Sequence, residues 1–195
     1  MSVAGIASIV LLGILVAAAL ALYVLVVRGS VTIDLGVGRR VRPLGPITWR
    51  IAAPREVAFD VVAAPYLKRT PRALEKKLRV VERGDNMVLA AHFTPVGPLT
   101  TTTLETVRFE RPERVHFRLT RGPVPHAVEQ FALEEREDGT ELVYTGELGA
   151  DLWLVGRIWT YFVARSWEAT VRRSLTDVAA EAERRAASVT ARSRA

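Results

Sequence analysis

Between Val3 and Val27 the chain carries no charged side chain and almost no polar one. As an α-helix rising about 1.5 Å per residue, this run spans about 37 Å, enough to cross a bilayer. A helix apolar on every side for that length does not suit the core of a small domain, which needs only one apolar stripe. A cleaved signal peptide fits less well: no Lys or Arg precedes the run, the run exceeds a usual signal core, and no small-x-small cleavage site follows before Arg28. The expectation is therefore one transmembrane helix. Arg28, Arg39, Arg40 and Arg42 all follow it, and basic flanks stay cytoplasmic, so the N-terminus is expected outside and the rest of the chain inside, at the cell membrane.

A chain of 195 residues leaves room for one ordinary domain after that helix. With 49% hydrophobic and 25% charged residues, the remainder reads as globular. The absence of cysteine excludes disulfides, thiolate metal sites and thiol nucleophiles. The net charge of +6 is compatible with anionic lipid or nucleic acid. The basic residues are not interleaved with aromatics in a reader motif, so a membrane surface is expected and nucleic acid is not.

Four stretches follow: an anchor over residues 1–28, a basic membrane-proximal linker over 29–45 with a short strand at Val31 to Leu35, a folded domain over 46–186, and a disordered tail over 187–195. Ile47, Trp49 and Ile51 alternate with Thr48 and Arg50, the pattern of a half-buried strand. Pro54 and Glu56 then open a helix whose apolar residues Val57, Val61 and Ala64 recur at helical spacing until Pro65 stops it, with a second short helical piece at about Tyr66 to Leu74. From Lys77 to Ala150 about six strands are separated by turn signals: Gly84-Asp85-Asn86, Pro95 to Pro98, Arg111-Pro112-Glu113, Gly122 to Pro125 and Asp138-Gly139. The last pair suits a type I′ turn between strands at Ala127 to Glu135 and Glu141 to Leu148. After Asp151 the helical period returns, with Val155, Ile158, Trp159, Phe162, Val163 and Ser166 on one stripe and fraying expected beyond Ala186.

This order gives an α+β fold with one curved antiparallel sheet wrapped on a long C-terminal helix. The run Ile51-Ala52-Ala53-Pro54-Arg55-Glu56-Val57-Ala58-Phe59-Asp60, with that final helix, resembles the opening strand and helix of the START-like, or SRPBCC, superfamily, which includes polyketide cyclases and lipid-transfer domains. The resemblance covers about Pro46 to Ala186. It implies a helix-grip fold with a hydrophobic-ligand cavity between sheet and helix, and says little about activity.

Strand alternation indicates which side chains would line such a cavity: Val107, Phe109, Phe117, Leu119, Phe131, Leu133 and Tyr144 from the sheet, with Trp159 and Phe162 from the final helix, and Trp153 and Leu154 at its mouth or touching the membrane. Glu105 and Glu129 share the inward faces. They are the candidate acid–base groups, because desolvation raises a carboxyl pKa, although solvent access or an arginine partner would make them merely structural. His92, His116 and His126 lack metal-ligand spacing, Gly36-Val37-Gly38-Arg39 is too short for a phosphate loop, and no cofactor or metal is expected. The favoured function is binding of a hydrophobic small molecule, such as a lipid, quinone or polyketide-like compound, next to the membrane. The alternatives are a polyketide cyclase or dehydratase using an inward carboxylate, and a structural or interaction protein with a filled core.

Overall fold

The period-two runs become strands in the order the turn signals set. The computed structural model describes residues 2–67 and 74–193. It contains helix α1 (Val3–Val27), strand β1 (Arg40–Ile51), helix α2 (Arg55–Leu67), strands β2 (Leu78–Arg83), β3 (Met87–Val96), β4 (Leu99–Glu110), β5 (Arg114–Arg121), β6 (His126–Arg136) and β7 (Gly139–Ala150), and helix α3 (Trp153–Ser193). The strands form one seven-stranded sheet of order β1-β7-β6-β5-β4-β3-β2, antiparallel at every pairing. The core lies between its inner face and the two later helices. Phe59, Val61 and Val62 of α2 pack with Ala164, Val171, Leu175, Ala179 and Ala182 of α3 over Leu44, Val107, Val115, Leu142 and Leu148.

Several local expectations are corrected. No strand forms at Val31 to Leu35, while β1 begins at Arg40, inside the stretch read as linker, because its first five residues pair with Leu148-to-Ala150 and neighbours on β7. Helix α2 runs through Pro65 to Leu67. Proline costs a backbone hydrogen bond, but here it falls in the final turn of a helix whose face is already buried, and packing outweighs that loss. The remainder of the second helical piece expected at Tyr66 to Leu74 falls largely outside the described residues. The β6–β7 hairpin turns on Glu137 and Asp138, with Arg136 paired to Gly139. Gly139 serves instead as a point of close approach: at φ 147°, a Cβ there would meet the Ile51 carbonyl oxygen at 2.2 Å. Helix α3 continues through Ser193, past the expected fraying point, in a segment rich in strong helix formers and carrying Glu181–Arg184 and Glu181–Arg185 ion pairs.

The buried stripe of α3 also differs from the expected one. Its first turns present Gly156, Thr160 and Ala164 inward, which leaves Val155, Ile158 and Phe162 exposed. Of the expected stripe, Trp159 and Val163 pack against the core, but in these first turns small residues allow closer approach to the sheet and take the inner position.

Helix α1 is not loosely tethered. Val26 and Val27 are buried, the Thr101 hydroxyl donates to the Val27 carbonyl at 2.7 Å, and the Thr102 amide donates to the Arg28 carbonyl at 3.0 Å. The Thr32 hydroxyl donates to the Gly122 carbonyl and accepts from the Gly122 amide.

Candidate functional site

Sheet register decides which residues meet. On the inner face Val107 lies opposite Phe117, Phe117 opposite Glu129, and Glu129 opposite Gly146. One row over, Phe109 faces Val115, Val115 faces Phe131, and Phe131 faces Tyr144. On the other side Glu105 faces both Ala90 and Leu119, and His92 faces Thr103. Pairing thus sets two carboxylates and one imidazole within an aromatic wall. Phe117 and Phe131 are edge-on at 5.4 Å between centroids, Phe131 and Tyr144 lie at 5.6 Å, and Tyr66 of α2 stands 6.0 Å from both Phe109 and Phe117.

Glu129 is buried and takes two hydrogen bonds on Oε2, one from the Tyr144 hydroxyl and one from the Trp167 indole N–H of α3, each 2.6 Å. Gly146 makes room for it, since a Cβ there would lie 3.1 Å from Glu129 Cγ and 2.7 Å from the Val128 carbonyl. Burial, then the negative charge of Glu105, push its carboxyl up to about 7, against the two hydrogen bonds. Glu105 sits in the same interior with a different outcome. Burial raises its pKa, but the His92 imidazole at 3.3 Å and the Thr103 hydroxyl, donating to Oε1 at 2.5 Å, bring it below the usual carboxylate value. His92 is correspondingly raised, burial opposing and Glu105 prevailing. Its Nδ1 lies within ion-pair distance of Glu105 but off hydrogen-bond alignment, and its Nε2 is 3.0 Å from the Tyr66 hydroxyl. Burial and the two carboxylates raise the Tyr66 phenol well above its ordinary value. Thr101, Thr103 and Glu105 are all buried on one face of β4, so a polar track runs from the end of α1 to this centre.

Two environments therefore push similar groups in opposite directions: Glu129 goes up to about 7, through burial and the charge of Glu105, while Glu105 falls below its usual value beside His92. A carboxyl held near neutral pH can both accept and donate a proton, which is what general acid–base chemistry requires of a side chain.

Of the cavity residues expected from sequence, Val107, Phe109, Phe117, Phe131 and Tyr144 surround this centre, together with Glu105 and Glu129. Leu119 is half-buried beside Glu105 on the neighbouring strand. Leu133 is buried farther along β6, opposite Leu142. Trp159 is half-buried, donates its indole N–H to the Pro123 carbonyl at 2.7 Å, and stands edge-on to Tyr23 of α1. Phe162 is a correction: it is 61% exposed and lines no interior, because α3 turns Ala164 and Thr160 inward instead. His92, Tyr66, Thr103 and Trp167 were not anticipated. For His92 a signal was present, since Val88, Ala90 and His92 alternate on β3. Tyr66 and Trp167 belong to the other layer, and no strand pattern points to them.

No protein-family model matches the sequence, and no curated protein does. Solved structures are similar in shape. The Zhui aromatase/cyclase from Streptomyces sp. R1128 is 20% identical with a TM-score of 0.56, over 75% of this chain and 95% of that one. The di-domain aromatase/cyclase BexL from the BE-7585A biosynthetic pathway is 18% identical with a TM-score of 0.57, over 76% of this chain and 50% of that one. Norcoclaurine synthase from Thalictrum flavum, solved in complex with dopamine and hydroxybenzaldehyde, is 13% identical with a TM-score of 0.54, over 79% and 91%. At such identities the likeness concerns the fold.

Proposed function

We propose, for a chain with the helix-grip fold of the START-like, or SRPBCC, superfamily, that it binds a hydrophobic small molecule between sheet and α3 while anchored in the cell membrane by α1, with its N-terminus outside and its domain cytoplasmic. The ligand class is a lipid, a quinone or a polyketide-like compound. The observation that carries this reading is the buried polar centre in the aromatic interior. An apolar, partly aromatic site with a few convergent polar groups is how proteins hold apolar ligands that carry one or two oxygens. Here Glu129, with Tyr144 and Trp167 fixing it, and His92, paired to Glu105, supply donors and acceptors, while Phe109, Phe117 and Phe131 supply contact area. The anchor keeps the domain beside a ligand that partitions into lipid, which raises its effective concentration.

The test is mass spectrometry of small molecules retained by the full-length protein purified gently from its native membrane, beside a Phe117→Trp variant that fills the interior. One hydrophobic compound enriched with the wild type and lost from the variant is the expected result. Equal profiles from both would leave the interior as a filled core and overturn the reading.

A second reading, an acid–base enzyme of cyclase or dehydratase type, is favoured by the opposite directions in which the two carboxyl groups are shifted within one buried centre. In it Glu129 would abstract or return a proton and His92 would stabilise charge on the substrate oxygen. Turnover of the retained compound should then fall by about a hundredfold or more in Glu129→Gln. Unchanged turnover in both Glu105→Gln and Glu129→Gln would end it.

A further inference from the structure

The first turns of α3 carry a solvent-facing apolar surface that the core does not use. Leu154, Ile158 and Phe162 follow one another at helical spacing and are 65%, 53% and 61% exposed, with Trp153 at 56% beside them. Leu35 and Val37 extend the surface at 58% and 46% exposure. They are held there: the amides of Leu35 and Gly36 donate to Asp151 Oδ2 at 2.6 and 2.8 Å, Leu152 and Trp153 donate their amides to the carbonyls of Val37 and Gly38, and the Trp153 ring covers Gly38. A contiguous exposed apolar surface built on fixed backbone is unusual for a domain meant to face only water.

What covers it follows from α1. A hydrocarbon core about 30 Å thick takes about twenty helical residues, which Val3 to Leu22 supply. Tyr23 then falls at the membrane–water boundary, where aromatic residues concentrate. Tyr23 stands edge-on to Trp159 with ring centroids 6.2 Å apart, so the start of α3 is at the same depth as the end of the span. Docking of Val27 and Arg28 on Thr101 and Thr102 fixes that relation. The surrounding charges suit a bilayer surface. Arg40, Arg157 and Arg165 are exposed around the apolar face, Arg42 lies over the Tyr161 ring, and the acidic groups on the linker side, Asp34 and Asp151, are both engaged by Arg39. Arginines rimming an apolar helix face reach anionic headgroups while the face enters the acyl boundary.

We infer that the N-terminal turns of α3, with Leu35 and Val37, lie in the interface of an anionic bilayer, so that the domain is seated on the membrane rather than held away from it. This rests on α1 being a membrane span, and the experiment separates the two. The chain has no cysteine, so single cysteines carry spin labels at defined sites. Labels at Leu154, Ile158 and Phe162, at Leu12 within the span and at Asn86 on the β2–β3 hairpin are compared in the full-length protein reconstituted into phosphatidylcholine–phosphatidylglycerol vesicles. The expected result is that the three α3 labels, like Leu12, meet dissolved oxygen more readily than a nickel chelate, with Asn86 showing the reverse order. If the α3 labels behave as Asn86 while Leu12 stays in lipid, the inference fails and the anchor stands. If Leu12 also meets the chelate, the anchor fails and the inference with it. Shielding of the α3 labels from both reagents, with dipolar broadening between copies, would assign the face to self-association and overturn the lipid.

Discussion

Glu129 and Glu105 differ by what register and layer place beside them. Glu129 faces Gly146 and two neutral donors, and burial dominates; Glu105 neighbours His92, and the ion pair dominates. This fixes the sign of a pH effect. Glu129 is raised from 4.5 to about 7, so the folded state binds its proton more tightly than the unfolded one. Its contribution is complete below the unfolded value and is lost as pH rises through about 7, on the order of 3 kcal/mol in all. Glu129→Gln keeps the acceptor for Tyr144 and Trp167 and removes the ionisation. Thermal unfolding in detergent should show the wild type losing stability relative to this variant from about pH 5 to 8, and an unchanged difference across that range would refute the assignment. Glu105, lowered in the fold, has the opposite sign: its contribution is present above its unfolded value and lost as pH falls below that. Both carboxylates were legible in the sequence, because period-two alternation reports which face a strand residue takes. Tyr66 and Trp167 were not, because they reach the centre from helices whose angle over the sheet no local pattern encodes.

The junction between β7 and α3 shows how one side chain organises an element boundary. Asp151 is buried, takes the Arg39 Nε–H at 2.7 Å on Oδ1 and two backbone amides on Oδ2, and so binds the segment after α1 to the start of α3. Leu152 and Trp153 adopt left-handed backbone at φ 69° and 44°, conformations held only where surrounding bonds over-determine them. The Arg39 guanidinium keeps the Asp151 carboxyl below its ordinary value, so this clasp is formed above that value and loosens in acid. Asp151→Ala leaves an arginine and two amides without their acceptor. Because Arg39 is partly exposed and water can replace some of the loss, the expected cost is about 2 kcal/mol. It should appear as a lower Tm with new protease cleavage between Arg28 and Arg40, and Asp151→Asn should retain part of the stability. No cleavage and an unchanged Tm would show that the segment is held by other contacts. The sequence showed glycine- and arginine-rich character here and suggested a loose linker. What it could not show was a buried carboxylate more than a hundred residues away that orders the segment.

At the scale of the whole molecule, α1 and the domain behave as one design problem. A helix that ended in a flexible tether would leave the domain's orientation to chance, whereas here buried Val26 and Val27, the Thr101–Val27 bond and the Tyr23–Trp159 contact continue α1 into the sheet and α3. With α1 inserted as proposed, insertion would precede this folding, and the charges that set its orientation would be those of the nascent chain. Arg28, Arg39, Arg40 and Arg42 all count then, although Arg39 later pairs with Asp34 and Asp151. These arginines all lie on the C-terminal side of α1, which favours the proposed orientation. Single-cysteine variants Ser2→Cys and Asn86→Cys in intact cells, treated with a maleimide that cannot cross membranes, read it directly. Ser2→Cys should label from outside, and Asn86→Cys only after the membrane is permeabilised. The reverse pattern would put the domain outside and require that the ligand be met on the other face of the bilayer. Labelling of both from outside, with the protein released by washing, would remove the span itself, and with it the reason for the apolar face of α3 to be where it is.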